Sequence, residues 1–590
     1  MAEATHPHPR RTRRTAVTVV VVALIVVIGA AAWLGVRGWL AKAELEQIQS
    51  AKADLSQAVG AHDVDAVSAA LASVHAHAER AADLTVDPIW RATEGLPLLG
   101  ANTAAVRVSA ESMRDLTASA LPLVGMMAAD HAASTPGLDL SSLGDLAAPL
   151  RTVADAAATA QAQLAAVRLD ALLPPLREGV GELQTLVDDA APLLDQAATA
   201  ITIAPGMFGA GGDRTLLVMV QNTAEVRTGG GVTGSFIAVH AAGGHLSIGE
   251  HADSTEFRRG AVTSVPLPAE LTAMYGPNVG DYVTNITVTP DFDLSARLAS
   301  AWWQTLGRTA PDTVISIDPA VLSALLQITG PLTLSDGTTV DAGTVNNEIL
   351  VRPYLEQTQT GQTLIQTDLT QRLFDRLLVT PFDATRWAAA LAAPVADGRV
   401  SVWSAHADEE AVLAAGPFGG TLARVRHGGP DTVGVYFNDV TTGKMDSFVD
   451  TTIDVSSRVC RADGVAEVAV SVTLVNTATG TARAFPASMT GAANPSLPGD
   501  VTTDVTVTAP SGWFLGGVQQ GGAAVPSTDV DADGEGPSSV ARVLLAPGQS
   551  TTTIFHLLVG EGGSPPSPTI VHTPMMNPVT LESTAAGPCG

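Results

Sequence analysis

Apolar and polar positions alternate with three different rhythms along the chain. From Leu45 the seam steps by three and four through Ile48, Leu55 and Val59, with Lys52 in the slot between Ile48 and Leu55, and a second seam runs Val64, Val67, Leu71, Val74, Ala78 and Ala81. That spacing puts one apolar stripe on a helix. Further Ala/Leu-rich segments near 101–130, 145–170 and 176–200 are broken by Pro and Gly. Together they predict an extended helical bundle or stalk over 37–203. His75 and His77 are two residues apart, so they sit on different helix faces and are not a metal pair.

The rhythm changes after a Gly-rich linker at 204–212. Leu216-Leu217-Val218-Met219-Val220 reads as a buried strand, and Phe236–Val239 with Leu246–Ile248 flank a Gly243-Gly244 turn as a hairpin. Leu294–Leu306 and Val321–Ile328 read as helices, and Thr313–Ile317 as a strand. Mixed elements over 213–430 predict a central α/β domain. Val465–Val475, Val501–Val507, Val540–Leu545 and Thr551–Leu558 alternate with period two between Gly/Pro turns, which predicts an antiparallel β-sandwich over 431–560. Residues 561–590 read as an irregular Pro-rich tail.

One segment breaks all three patterns. Ala16–Val36 carries no charge, and 21 residues of helix reach about 30 Å, the thickness of a bilayer core. Arg10, Arg11, Arg13 and Arg14 precede it. The positive-inside rule then predicts a cytoplasmic arm over 1–15, a single transmembrane helix over 16–36 and an extracytoplasmic remainder. A cleaved signal peptide with a small Ala30/Ala32 site is the alternative. The fold class expected is therefore multidomain α+β: anchor, helical bundle, central α/β domain and C-terminal antiparallel sandwich, at the plasma membrane.

Composition adds exclusions. The chain has 590 residues, 46% of them apolar, with a formal net charge of −27. Such an acidic chain is no partner for nucleic acid, whose phosphates need a basic surface. Lys42, Lys52 and Lys444 are the only lysines; with abundant Ala this reads as codon bias, so the Arg excess is not a phosphate signature. The two cysteines, Cys460 and Cys589, can pair in an oxidising compartment.

The candidate chemistry is concentrated in Gln221-Asn222-Thr223-Ala224-Glu225-Val226-Arg227-Thr228-Gly229-Gly230-Gly231, at the end of the first buried strand. Polar side chains at such ends reach clefts. Arg227 beside glycine amides could hold a phosphate, and Asn222 and Glu225 could orient a hydroxyl or a metal. Arg258, Asn285 and Asp291 extend this candidate polar cleft. The structural alternative has Glu225 and Arg227 pairing locally and Asn222 capping a turn. Gly229, Gly231 and Gly234 match G-x-G-x-x-G, but a strand follows, so a dinucleotide is excluded and a turn needing positive φ is the expected role. Asp529, Asp531, Asp533 and Gly534 mimic half of an EF-hand loop, with Val540 where the bidentate Glu should stand. His240 and His245 lack a third ligand. No cofactor is implied; a divalent cation is the one species these acids leave open.

The first motif resembles the hallmark of the domain-of-unknown-function 4012 family. So do Asp291-Phe292, Val314-Ile315-Ser316-Ile317-Asp318-Pro319, Thr329-Gly330-Pro331 and Gly443-Lys444-Met445-Asp446. The resemblance implies an anchored envelope protein of actinobacteria and relatives, some associated with exopolysaccharide production, without a known activity. A weaker likeness is to the LytR-CpsA-Psr phosphotransferases, whose Ser-x-Pro-Arg-Asp motif is absent here. The expectation is a cell-envelope protein that binds or supports wall or exopolysaccharide polymer. The alternative is a phosphotransferase-like enzyme acting on a lipid-linked glycopolymer precursor, with Arg227 as phosphate clamp and Asp291 or Glu225 as metal ligand or base.

Overall fold

The computed structural model describes residues 29, 32–48, 51, 53–58, 63–97, 99–133, 140–262, 264–381, 383–491, 497–532, 536–560 and 565–583. The chain forms two compact units, one of residues 1–134 and 144–202, the other of 135–143 and 203–590.

The first unit is helical. Its main helices are α1 (Val64–Thr85), α2 (Gly100–Ala133), α3 (Ala147–Ala165) and α4 (Pro174–Met207), the last running on into the linker region. Asp63 caps α1 by accepting from Ala66 N at 2.9 Å, which satisfies one orphan amide. The seams are built from Ala: Ala81, Ala82 and Ala110 form one buried contact, and Ala160, Leu164 and Val187 another. Small side chains bring helices close, but each buries little area. Polar ties supplement them, as between Ser112 Oγ and Gln163 Oε1 at 3.2 Å. His75 bonds Thr117 and His77 bonds Glu44, on different faces of α1.

The transmembrane expectation is corrected. No helix among the described residues is long and apolar enough to cross a membrane. The described helix over 32–48 carries Arg37, Lys42, Glu44 and Glu46, and Lys42 pairs with Glu46, so its run is interrupted by charge. The arm over 1–15, residues 16–28 of the expected span and Cys589 lie outside the described residues.

The second unit begins with a five-stranded sheet of β1 (Arg214–Asn222), β2 (Val232–Ala242), β3 (His245–Asp253), β4 (Thr313–Ile317) and β5 (Ser401–Ser404), in the order β3-β2-β1-β4-β5. Only the β1–β4 pair is parallel. β1 is apolar on both faces because both are covered. Leu217 and Met219 pack with Trp302 and Trp303 of helix α5 (Phe292–Gln304), while Leu216 packs with Ile237 and Val239. In α5, Leu294, Leu298 and Trp302 recur every four residues and place one face on the sheet. Helix α6 (Pro319–Thr329) follows β4. Its N-cap Asp318 is buried and takes Arg399 Nη1 at 2.6 Å.

The sandwich has two sheets. One holds β6 (Thr432–Asp439), β9 (Val501–Thr508), β11 (Thr528–Ala532), β12 (Gly536–Leu545) and β14 (Thr569–His572). The other holds β7 (Val449–Arg458), β8 (Glu467–Asn476), β10 (Phe514–Gln520), β13 (Ser550–Leu558), β15 (Val579–Ser583) and the two-residue strand Ala523–Ala524. Phe437, Val470, Val505 and Phe555 meet in the core between them. The Pro-rich tail is not irregular throughout: β14 pairs parallel with β6, and β15 parallel with β7. Asp529–Ala532 is a ladder strand rather than a calcium loop, since Asp529 pairs with Ser539 and Asp531 with Pro537. Among the described residues no group of three or more His, Cys, Asp or Glu could hold a metal ion. Cys460, just past β7, is in a disulfide.

Candidate functional site

The motif that follows β1 runs into the sandwich. Val226 is buried in the sandwich core, while Ala224 packs in a second apolar cluster with Leu326, Leu350 and Leu369. Asn222 Oδ1 accepts from Ala224 N at 3.1 Å, and Asn222 Nδ2 donates to the Tyr354 hydroxyl at 3.1 Å. Gly230 holds a φ of 122° and reverses the chain. Val232 N then donates to Glu225 O at 3.0 Å as β2 begins.

Between these anchors lies a set of buried charges. Arg227 Nη1 donates to Val226 O at 2.9 Å and to Asp439 O at 3.0 Å, and Nη2 donates to Glu225 Oε1 at 3.1 Å. The other oxygen of Glu225 accepts from Lys444 Nζ. Lys444 Nζ also lies 5.3 Å from the centroid of the Tyr354 ring, a cation–π contact. Asp446 Oδ2 accepts from Val226 N at 2.7 Å, and the Asp439 carboxylate accepts from Thr441 N at 2.9 Å and Thr442 N at 2.8 Å. Thr442 is left-handed, with φ of 58°, a conformation a β-branched residue holds only when its surroundings impose it. Two cations, three carboxylates and their backbone partners thus tie the end of β1 to the end of β6.

The electrostatics follow from burial and charge count. Burial raises the cost of charging Glu225, but Lys444 and Arg227 outweigh it and hold this carboxyl below its usual value. Burial likewise opposes the Lys444 charge, and Glu225 restores it and pushes the ammonium upward. Arg227 and Lys444 need two anions. Glu225 is one, and Asp439 and Asp446 are the other acids beside them. Burial, and then the charge of Glu225, push Asp439 up to about 6. Burial and the neighbouring Asp439 raise Asp446 well above the ordinary carboxylate value. The two titrate as a pair.

This arrangement predicts a pH dependence. A carboxyl raised by folding stabilises the protein below its ordinary value of 3.8 and loses that contribution as pH rises through its folded value, here about 6 for Asp439. Glu225 works in the opposite sense: its contribution is present above 4.5 and is lost as pH falls through its lowered value. Asp446→Asn keeps an oxygen for Val226 N and removes one titration. Its denaturation free energy should therefore fall less than that of the wild type as pH rises above 3.8, the ordinary value of the Asp446 carboxyl. Parallel profiles for the two proteins would contradict the assignment.

The other predicted site residues do not join this cluster. Arg258 is exposed on the turn after β3. Asn285 donates to Asn278 O at 3.0 Å. Asp291 caps α5, accepting from Leu294 N at 3.4 Å, and burial raises its carboxyl. Among the described residues no hydrogen bond or ion pair links these three to Glu225 or Arg227. His240 pairs across the hairpin with Ser247, not His245. The polar cleft read from the sequence thus separates into a buried brace and scattered local contacts. Sequence reasoning missed Lys444 and Asp446 as charge partners. The signal was there: one of only three lysines, two residues from an acid.

No curated protein and no solved structure matches the chain. Residues 211–354, which carry β1, the motif and Tyr354, match the model of the family described as "Protein of unknown function (DUF4012)".

Proposed function

We propose that the chain is a non-catalytic protein that binds and supports wall or exopolysaccharide polymer, with the α/β sheet and the sandwich held together as one platform. The burial of the motif carries this reading. A phosphate clamp needs guanidinium hydrogens facing a substrate, whereas those of Arg227 face Val226 O, Asp439 O and Glu225, and the residue is 5% exposed. A metal ligand or base needs an accessible carboxylate, and Glu225 is enclosed by Arg227 and Lys444. The segment matched by the family model ends at Tyr354, which contacts Asn222 and Lys444, so the motif and its aromatic partner form one structural unit.

The test pairs two assays on the full chain. Insoluble cell-wall polysaccharide should sediment with the protein, and a lipid-linked glycopolymer donor should be left unconsumed. Polymer transfer by the wild type that disappears in a folded Arg227→Lys variant would replace this reading with the phosphotransferase.

A further inference from the structure

The sandwich carries an open cavity of about 560 Å³, lined by Ser511–Leu515, Asp529–Asp531, Gly536 and Pro537. That volume is in the usual range for small-ligand sites. Trp513 is 7% exposed and belongs to the core, but its neighbour Phe514 is 61% exposed, at the start of β10. The walls are fixed by close backbone approaches. A Cβ on Gly560 would lie 2.1 Å from Gly512 O, and one on Gly536 would lie 2.1 Å from Ala509 O. Such fixed walls lower the ordering cost of binding. Asp529 is oriented through Oδ1 by the hydroxyls of Ser527 at 2.9 Å and Ser539 at 2.6 Å, which leaves Oδ2 as an acceptor. Asp531 is exposed on the same strand two residues on, and so on the same face.

We propose that this cleft is a subsite for an uncharged sugar unit of a polysaccharide, with the Phe514 ring as platform and the Asp529 and Asp531 carboxylates as acceptors for sugar hydroxyls. This rests on the polymer-binding reading above and names where and what it binds. An aromatic face carries a negative quadrupole that attracts the weakly positive C–H face of a pyranose. Hydroxyls donating to carboxylates make charge-assisted bonds. No Lys, Arg or His lines the cavity, so a phosphate or uronate would meet two carboxylates and no counter-charge. The overall charge of −27 selects in the same direction.

The experiment is calorimetric titration of the full chain with neutral gluco-, manno- and arabino-oligosaccharides and with a glycerol-phosphate oligomer of similar length. At least one neutral oligomer should bind, about tenfold more weakly to Phe514→Ala and more weakly to Asp531→Asn, and the anionic oligomer should not. Both side chains are exposed, so the variants should fold, and their melting curves should overlay the wild type. A folded Phe514→Ala that binds as tightly as the wild type overturns the cleft while leaving polymer binding in place. Preference for the glycerol-phosphate oligomer also overturns the cleft. A wild type that sediments with no polysaccharide and binds no oligomer overturns both.

Discussion

Glu225→Ala should destabilise the second unit by about 3–5 kcal/mol, because it leaves two buried cations without their shared anion. In the wild type the Glu225 carboxylate accepts from Arg227 on one oxygen and from Lys444 on the other. Removing it places Arg227 and Lys444 in a desolvated site with no full counter-charge but the pair Asp439 and Asp446. Those two must then both ionise in a place that resists it, since burial raises both. Urea denaturation of the full chain, followed by a probe of the sandwich, reads the loss as a lower midpoint. Lys444→Met alone should also destabilise, leaving Glu225 with Arg227 only. The double variant Glu225→Ala with Lys444→Met should cost less than the sum of the two, because it removes both halves of one pair. Strict additivity would show that Glu225 and Lys444 do not act on each other. A loss below about 1 kcal/mol for Glu225→Ala would place the site in contact with water and reopen the catalytic reading.

The brace shows what a sequence can and cannot display. Leu216–Val220 was readable as a strand because it is a continuous apolar run, and Thr313–Ile317 because it is rich in β-branched residues between Pro311 and Pro319. The sandwich strands around Val470 and Val505 were readable from strict alternation. The local pairing of Glu225 with Arg227 was readable too, since the residues are two apart. The third member was not, because Lys444 stands 219 residues from Glu225 and only the fold brings them together. Placing Arg227 in a cleft assumed that a polar strand end faces solvent. Here the end of β1 faces a second layer, and Val226 inserts into its core. The tail misled for a related reason. Its prolines mark loops, but Ile570 and Val571 pair with Val433 and Gly434 of β6, a parallel contact that local pattern does not reveal. The apolar N-terminal run pointed to an anchor, whereas the described helix that continues it is charged and no described helix can cross a bilayer.

The glycines of the same motif separate under substitution. Gly231→Ala should destabilise by about 3 kcal/mol, while Gly234→Ala should change stability by less than about 0.5 kcal/mol. The sequence predicted a positive-φ role for Gly229, Gly231 and Gly234, but the left-handed turn belongs to Gly230. The requirement at Gly231 is steric. A Cβ there would lie 2.3 Å from Asn222 O and 2.4 Å from its carbonyl carbon, and neither is a flexible side chain that can move aside. That carbonyl oxygen also accepts from Glu225 N at 3.1 Å, so pushing it away strains the turn that aims Glu225 at Arg227 and Lys444. Gly234 lies within β2, outside the positive-φ region, and a Cβ on it meets nothing within 4 Å. Alanine there also restricts the unfolded chain, which favours folding. Thermal melts of the two variants decide the matter: a large fall in Tm for Gly231→Ala beside an unchanged Gly234→Ala locates the constraint in the close backbone crossing. Equal falls would mean that the close crossing of Gly231 with Asn222 is not what sets the cost.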